Sequence, residues 1–457
     1  MYQKKYHIHF VGIGGIGMSG IAEILARLDY TVSGSDLKAS ANTRRIEALG
    51  CTVFLGHEAK HIQGADVVVT SSAVAKTNPE VVAAKKGGIP IIQRAEMLAE
   101  LMRLKYSIAV AGAHGKTSTT SITAAILEEG GLDPTVVIGG VLKSKGTNAM
   151  HGLGDFIVAE ADESDGSFLK FSPSIAIVTN IDREHLDHYK NLAAIKKAFV
   201  QFTDRVPFYG LSILCMDNES VQEILPEISG RYTTYGLNTR ADYQARNISF
   251  EGRQSRFTVY HHDECLGEIT LNLPGVHNVT NCLAAIAAGR ELDIDFSVIK
   301  KALETLQGVK RRLEKKGDRD GIMVVDDYGH HPTELKTTLL AVRESWPEKR
   351  IVGVFQPHRH TRTDSLFDEF TRAFYHTDHL VMLPIYAAGE KPIEGVSSQS
   401  LAAAIEKRGH ESVVCCDDFD HAIDHLEGFL EEGDILLTLG AGDVVKLGET
   451  YLSRGDT

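Results

Sequence analysis

His7-Ile8-His9-Phe10-Val11-Gly12-Ile13-Gly14-Gly15-Ile16-Gly17-Met18 decides how the rest of the chain is read. An apolar strand over His7–Val11 runs into Gly12, Gly14, Gly15 and Gly17, and helical spacing follows over 17–28. Strand, glycine loop and helix in that order form a phosphate-binding pattern. Glycines let backbone N–H groups approach a pyrophosphate, and the helix N-terminus adds about half a positive charge. Asp36 ends the second strand, about 20 residues on, where ribose-reading carboxylates stand. A tight packing turn would use the same glycines, and the motif does not separate NAD from a UDP-sugar.

Working outward, strand patterns at 30–33, 66–70 and 89–92 and a helix at 95–104 complete a first domain, 1–105. A second domain, 106–307, opens with a strand at 107–111 and a helix at 117–129. Strands at 156–159 and 175–179 and helices at 279–290 and 296–306 belong to it, and alternation within 232–273 predicts antiparallel strands attached to its sheet. The third, 308–457, carries strands at 322–325, 351–355, 380–383 and 435–439 separated by helices. Alternating strands and helices predict an α/β protein with mostly parallel sheets.

The second domain has its own phosphate loop, Gly112-Ala113-His114-Gly115-Lys116-Thr117, followed by Ser118. It is shorter than the usual G-x-x-x-x-G-K-[ST], with Val110 where the first Gly would stand. The physics survives the shortening: amides wrap a β-phosphate, Lys116 reaches the β/γ oxygens and Thr117 offers a hydroxyl to Mg²⁺. Glu160 ends the next apolar strand and suits a hard cation. The Ala161-Asp162-Glu163-Ser164-Asp165 run after it reads as a solvated acidic loop. His185 and His188 follow the strand at 175–179, and no further cluster there makes zinc compelling. In the third domain, Asp326-Asp327-Tyr328-Gly329-His330-His331-Pro332 joins a strand to a helix. Arg359 and Arg362 follow the next strand as a clamp for carboxylate or phosphate.

Composition narrows the classes. The chain has 457 residues, 43% apolar and 24% charged, which is globular. Its net charge of −13, from 48 basic and 61 acidic side chains, argues against a broad nucleic-acid surface. No apolar run suits a membrane span, no signal peptide is evident, and six scattered cysteines read as reduced thiols of a cytoplasmic protein. Oligomeric state is not legible.

Taken together, these motifs resemble the Mur ligase family of ATP-dependent, ADP-forming enzymes. The resemblance spans nearly the whole chain and implies Rossmann-like domains at both ends with a P-loop ATPase-type domain between them. It rests on residues 9–18, the Gly112–Thr117 loop, Ala159 to Asp165, Thr179-Asn180-Ile181, Asp326 to Glu334, and Pro357-His358-Arg359 with Thr361-Arg362-Thr363. It implies that the first loop holds UDP-N-acetylmuramate, with Asp36, Ser71 and Ser72 in the UDP pocket. It implies ATP at Gly112 to Ser118, with Asn278, Asn281, Arg312 and Asp327. Thr117, Glu160 and His185 would hold Mg²⁺, with Mn²⁺ able to replace it, while Tyr328, His330, Arg359 and Arg362 would face the substrate and an incoming amino acid. The reaction implied is peptidoglycan-building: L-alanine is joined to the lactyl carboxylate of UDP-N-acetylmuramate through an acyl phosphate. Lys116, Glu160, His185 and His330 would carry that chemistry, with the base for the amine left open. The alternatives are a ligase that adds a preformed peptide to the same sugar nucleotide, an NAD-dependent dehydrogenase, and a nucleotide-binding regulator without chemistry.

Overall fold

Short strands buried on both faces set the architecture. A computed structural model describes residues 5–71, 73–141, 143, 148–184, 188–238 and 240–454. The first sheet contains β1 (His7–Val11), β2 (Thr31–Asp36), β3 (Thr52–Leu55), β4 (Val67–Thr70) and β5 (Ile91–Gln93), all parallel, in the order β3-β2-β1-β4-β5. The order reverses between β1 and β4, and a ligand crevice forms at such a switch point, beyond the strands' carboxyl ends. The first glycine loop leaves β1 there, and Ser71 follows β4.

The central sheet has ten strands: β6 (Tyr106–Ala111), β7 (Thr135–Val137), β8 (Ala149–Met150), β9 (Phe156–Glu160), β10 (Ile175–Val178), β11 (Leu211–Cys215), β12 (Tyr232–Gly236), β13 (Tyr243–Glu251), β14 (Gln254–His261) and β15 (Glu264–Leu271). Their order is β15-β14-β13-β12-β11-β10-β6-β9-β7-β8. The third sheet has six: β16 (Glu314–Arg319), β17 (Ile322–Asp327), β18 (Ile351–Phe355), β19 (His379–Met382), β20 (Val413–Cys415) and β21 (Ile435–Leu439), in the order β16-β17-β21-β18-β19-β20. Only β16 runs antiparallel in it, and separate apolar clusters cover its two faces. This is the three-domain α/β fold expected. Two compact units emerge: Met1–Arg246 with Thr258–Ile269 and Thr280–Gly308, and Asn247–Phe257 with Thr270–Val279 and Val309–Thr457.

The structure departs from the sequence reading in several places, and strands β7, β8, β11, β16 and β20 are not among those the sequence signals. The expected antiparallel strands do join the central sheet, but β12 pairs in parallel with both β11 and β13. The first domain also holds a helix Ala41–Ala48, strand β3 and a helix Pro79–Gly87 that the periodicity did not signal. These are short, and the first helix is mostly polar, so tertiary packing and caps define them. Ser40 accepts from Thr43 N, and Asn78 accepts from Glu80 N ahead of Pro79. All six cysteines are free, with Cys416 buried and Cys415 half-buried.

Helix starts separate structural from functional ends. The helices Ile16–Arg27 and Lys116–Glu129 follow Gly15 and Gly115 and have no side-chain cap. Their first-turn N–H groups face the two glycine loops, the arrangement that receives a phosphate.

The first loop also depends on a buried glycine in β2. A Cβ on Gly34 would lie 2.6 Å from Ile13 Cδ1 and 2.7 Å from Phe10 O. Gly34→Ala is therefore expected to destabilise the protein by about 1–3 kcal/mol through overpacking, seen as a lower thermal transition. An unchanged transition would show that this contact relaxes freely.

Candidate active site

The Gly112–Thr117 loop leaves β6 between β9 and β10, its two neighbours in the sheet. Val110 pairs with Glu160, and Ala111 with Val178, so register alone carries Glu160 and Thr179-Asn180 to the loop's flanks. Asn180 holds the loop from both sides: its Oδ1 accepts from His114 N at 2.8 Å, and its Nδ2 donates to His114 O at 2.9 Å. Thr179 Oγ1 donates to the same carbonyl at 2.6 Å. Gly112 has φ +135 and no room for a Cβ, which would overlap Thr179 Oγ1. At Gly115, φ +81, a Cβ would stand 2.8 Å from Asn281 Oδ1, so Asn281 is at the loop as expected.

Lys116 Nζ meets Glu163 Oε1 at 2.9 Å and donates to Gly112 O at 2.5 Å and Ala113 O at 3.2 Å. Burial alone would disfavour its ammonium, but the charges of Glu163 and Asp162 outweigh burial and raise its pKa. The acidic run is thus only partly solvated: Asp165 is exposed, but Glu163 is only 3% exposed and anchors the lysine. Sequence reasoning passed over Glu163, and a lysine in a phosphate loop that must stay charged was the signal for it. Glu160, favoured from sequence, accepts from Thr117 Oγ1 at 2.5 Å and from Gly139 N. A hydroxyl and a carboxylate brought together beside a phosphate loop are the hard oxygen donors that Mg²⁺ takes. His185 and Ser72 lie outside the described residues. Ser118 is in the first turn of the helix after the loop.

The first glycine loop is tied to the end of β2. Gly12 N and Ile13 N donate to Ser35 O at 2.8 and 3.0 Å, and Gly14 N donates to Asp36 Oδ2 at 2.9 Å. A Cβ on Gly14 would stand 2.9 Å from that carboxylate oxygen, and one on Gly17 would stand 3.0 Å from Arg94 Cδ. Asp36 is therefore a loop neighbour, as the spacing predicted. Ser71 is half-buried, and its carbonyl accepts from Val74 N.

In the second unit, β17 ends in two buried carboxylates. Asp326 pairs with Arg311 Nε at 2.9 Å, and Arg311 also donates to Gly440 O and Gly442 O. Asp327 accepts from Leu313 N, Gly329 N and Thr338 Oγ1 at 2.8, 2.7 and 3.2 Å. It pins the 311–313 segment to the strand end, and burial raises its pKa against the pull of Arg312. Arg312 lies 3.6 Å from Glu334, with its guanidinium 5.4 Å from the centre of the Tyr328 ring. His330 stands 5.4 Å from Tyr328 and 5.8 Å from His358, ring to ring, and Arg362 donates to His358 O at 3.2 Å. Arg359 is exposed, 3.9 Å from Glu390, in a left-handed backbone conformation (φ 72) that costs a non-glycine residue free energy. The two arginines are thus held by different partners. Asn278 is buried and donates to Pro274 O at 2.7 Å.

Among the described residues, no helix is long and apolar enough to cross a membrane. Three family models match the chain in sequence order: Mur ligase family, catalytic domain, at 7–106; Mur ligase middle domain at 110–289; and Mur ligase, glutamate ligase domain, at 311–442. A UDP-N-acetylmuramate--L-alanine ligase of Desulforapulum autotrophicum is 64% identical over 99% of both chains, and one of Geobacter sp. (strain M21) is 56% identical over 99% of this chain and 98% of its own. Among solved structures, UDP-N-acetylmuramate-alanine ligase from Thermotoga maritima superposes with TM-score 0.82 at 29% identity, covering 98% of this chain and 99% of that one. A murein peptide ligase from Psychrobacter arcticus gives 0.70 at 26%, covering 98% of each.

His330 is held neutral. Burial, opposed by Glu334 and assisted by Arg362, lowers its pKa to about 4. The stability its neutral ring contributes is present above pH ~6.5 and is lost as pH falls toward 4. An NMR titration should find the ring still neutral at pH ~5. A midpoint near 6.5 would contradict this environment.

Proposed function

The chain belongs to the Mur ligase family, and on that premise we propose that it joins L-alanine to the lactyl carboxylate of UDP-N-acetylmuramate with cleavage of ATP to ADP. The relatives named for that reaction match end to end, and they give no support to the peptide-adding or dehydrogenase alternatives. The observation that carries the chemistry is Lys116, kept charged by Glu163 and Asp162 at the mouth of a phosphate loop.

The substrate carboxylate attacks the γ-phosphorus of ATP. The bond to the ADP oxygen breaks, leaving an acyl phosphate and ADP. The neutral amine of L-alanine then adds to the activated carbonyl, the carbon–oxygen bond to phosphate breaks, and the amine's proton passes to water or to the departing phosphate. A bare carboxylate has no adequate leaving group, and phosphorylation supplies one. The first step brings two anions together. Lys116 and the amides of Gly112 to Thr117 offset their repulsion with charge already in place. Thr117 and Glu160 would hold Mg²⁺, which supplies further positive charge to the triphosphate when bound. Asn278, Asn281, Arg312 and Asp327 are assigned to ATP; Gly12, Gly14, Gly15, Gly17, Asp36 and Ser71 to the sugar nucleotide; Tyr328, His330, Arg359 and Arg362 to the acceptor side. Burial holds the His330 ring below the usual imidazole range, which weakens it as a proton acceptor for the amine. Domains 1–105, 106–307 and 308–457 divide these tasks, and closure excludes water from the acyl phosphate.

Lys116→Ala is expected to fold and to lose on the order of 10²–10³ in kcat, measured as ADP release with all three substrates present. Activity near that of the unaltered enzyme would remove Lys116 from the mechanism.

A further inference from the structure

Beneath the first glycine loop lies a buried carboxylate with no part in the chemistry above. Glu80, the second residue of helix Pro79–Gly87, is 0% exposed, as are His9 and Ser35. Its Oε2 lies 2.6 Å from Ser35 Oγ and 3.4 Å from His9 Nε2, and its Oε1 lies 2.9 Å from His61 Nδ1. Behind these stand Ser33, 2.8 Å from both His9 Nδ1 and His7 Nε2, and His57 Nδ1, 2.9 Å from Ser35 Oγ. A carboxylate only accepts, so Glu80 sets the polarity of the whole array. Ser35 O–H, His9 Nε2–H and His61 Nδ1–H donate to it, Ser33 O–H donates to His9 Nδ1, and His7 and His57 donate to the two serines. These donors, against the cost of burial, lower the Glu80 pKa to about 2, so it is an anion throughout the working range.

Ser35 joins this array to the loop. Its hydroxyl belongs to Glu80, while its backbone carbonyl accepts from Gly12 N and Ile13 N. The next residue, Asp36, takes Gly14 N. We infer that Glu80 is a positioning residue for the sugar nucleotide: through the Ser35 hydroxyl it fixes the strand end from which the amides of the first glycine loop are hung. The assignment rests on the reading that this loop receives the UDP-sugar.

The test uses the full-length enzyme with UDP-N-acetylmuramate, ATP and L-alanine varied in turn. Glu80→Gln keeps the size and removes the charge, and Ser35→Ala removes only the hydroxyl link. KM for UDP-N-acetylmuramate should rise about tenfold in the first variant and about threefold in the second, while kcat and the KM values for ATP and L-alanine stay within about twofold. A purely structural role would move these constants together or leave them all unchanged, and either result overturns the inference. If Glu80→Gln does not fold, Ser35→Ala decides alone, because it leaves Glu80 with its histidines. Asp36→Ala separates the two layers. If it raises KM for the sugar nucleotide and Ser35→Ala does not, the inference fails by itself; if Asp36→Ala also leaves that KM unchanged, the reading of the loop falls, and the inference with it.

Discussion

A half-buried ammonium paired with a buried carboxylate, Lys116 with Glu163, is the interaction on which the second phosphate loop depends. Lys116 follows a loop whose glycines and flanking Thr179 and Asn180 leave it one course. Moved out of water alone, an ammonium would tend to lose its proton; beside Glu163 and Asp162 it keeps it. Positive charge is therefore in position before an anionic substrate arrives. In a chain of net charge −13, the proposed reaction needs such local positive charge for a triphosphate and a carboxylate to approach each other.

The two glycine loops share a principle and differ in how they are braced. Each sends a helix out from an uncapped N-terminus at the carboxyl edge of a parallel sheet. The second is braced by side chains of the neighbouring strands, Asn180 and Thr179 on one flank, with Glu160 on the other. The first is braced by backbone, through Ser35 O and the Asp36 carboxylate, and Ser35 is in turn held by a buried polar array. Buried arrays of that kind persist only when every member is satisfied, which here follows from a single anion.

Much of this was legible in the sequence because the signals are local. Strand, glycines and helix stand next to one another in both loops, and Glu160 ends its own apolar run. Glu163 was not legible, since an acidic run looks solvated until its partner, 47 residues away, is placed beside it. Glu80 was hidden for the same reason: its partners His9, Ser35 and His61 come from three separate segments. The small elements between β2 and β5 escaped because they are too short to carry a clear periodicity. β12 breaks the expected antiparallel run because alternation reports one buried face and not the direction of the partner strand.

If ATP activates the sugar nucleotide's acid as an acyl phosphate, one oxygen of that acid leaves with the phosphate. Labelling that carboxylate with heavy oxygen and weighing the inorganic phosphate after turnover with ATP and L-alanine tests it most directly. Each phosphate released is expected to carry one labelled oxygen from the carboxylate. Unlabelled phosphate, with product still formed, would contradict it.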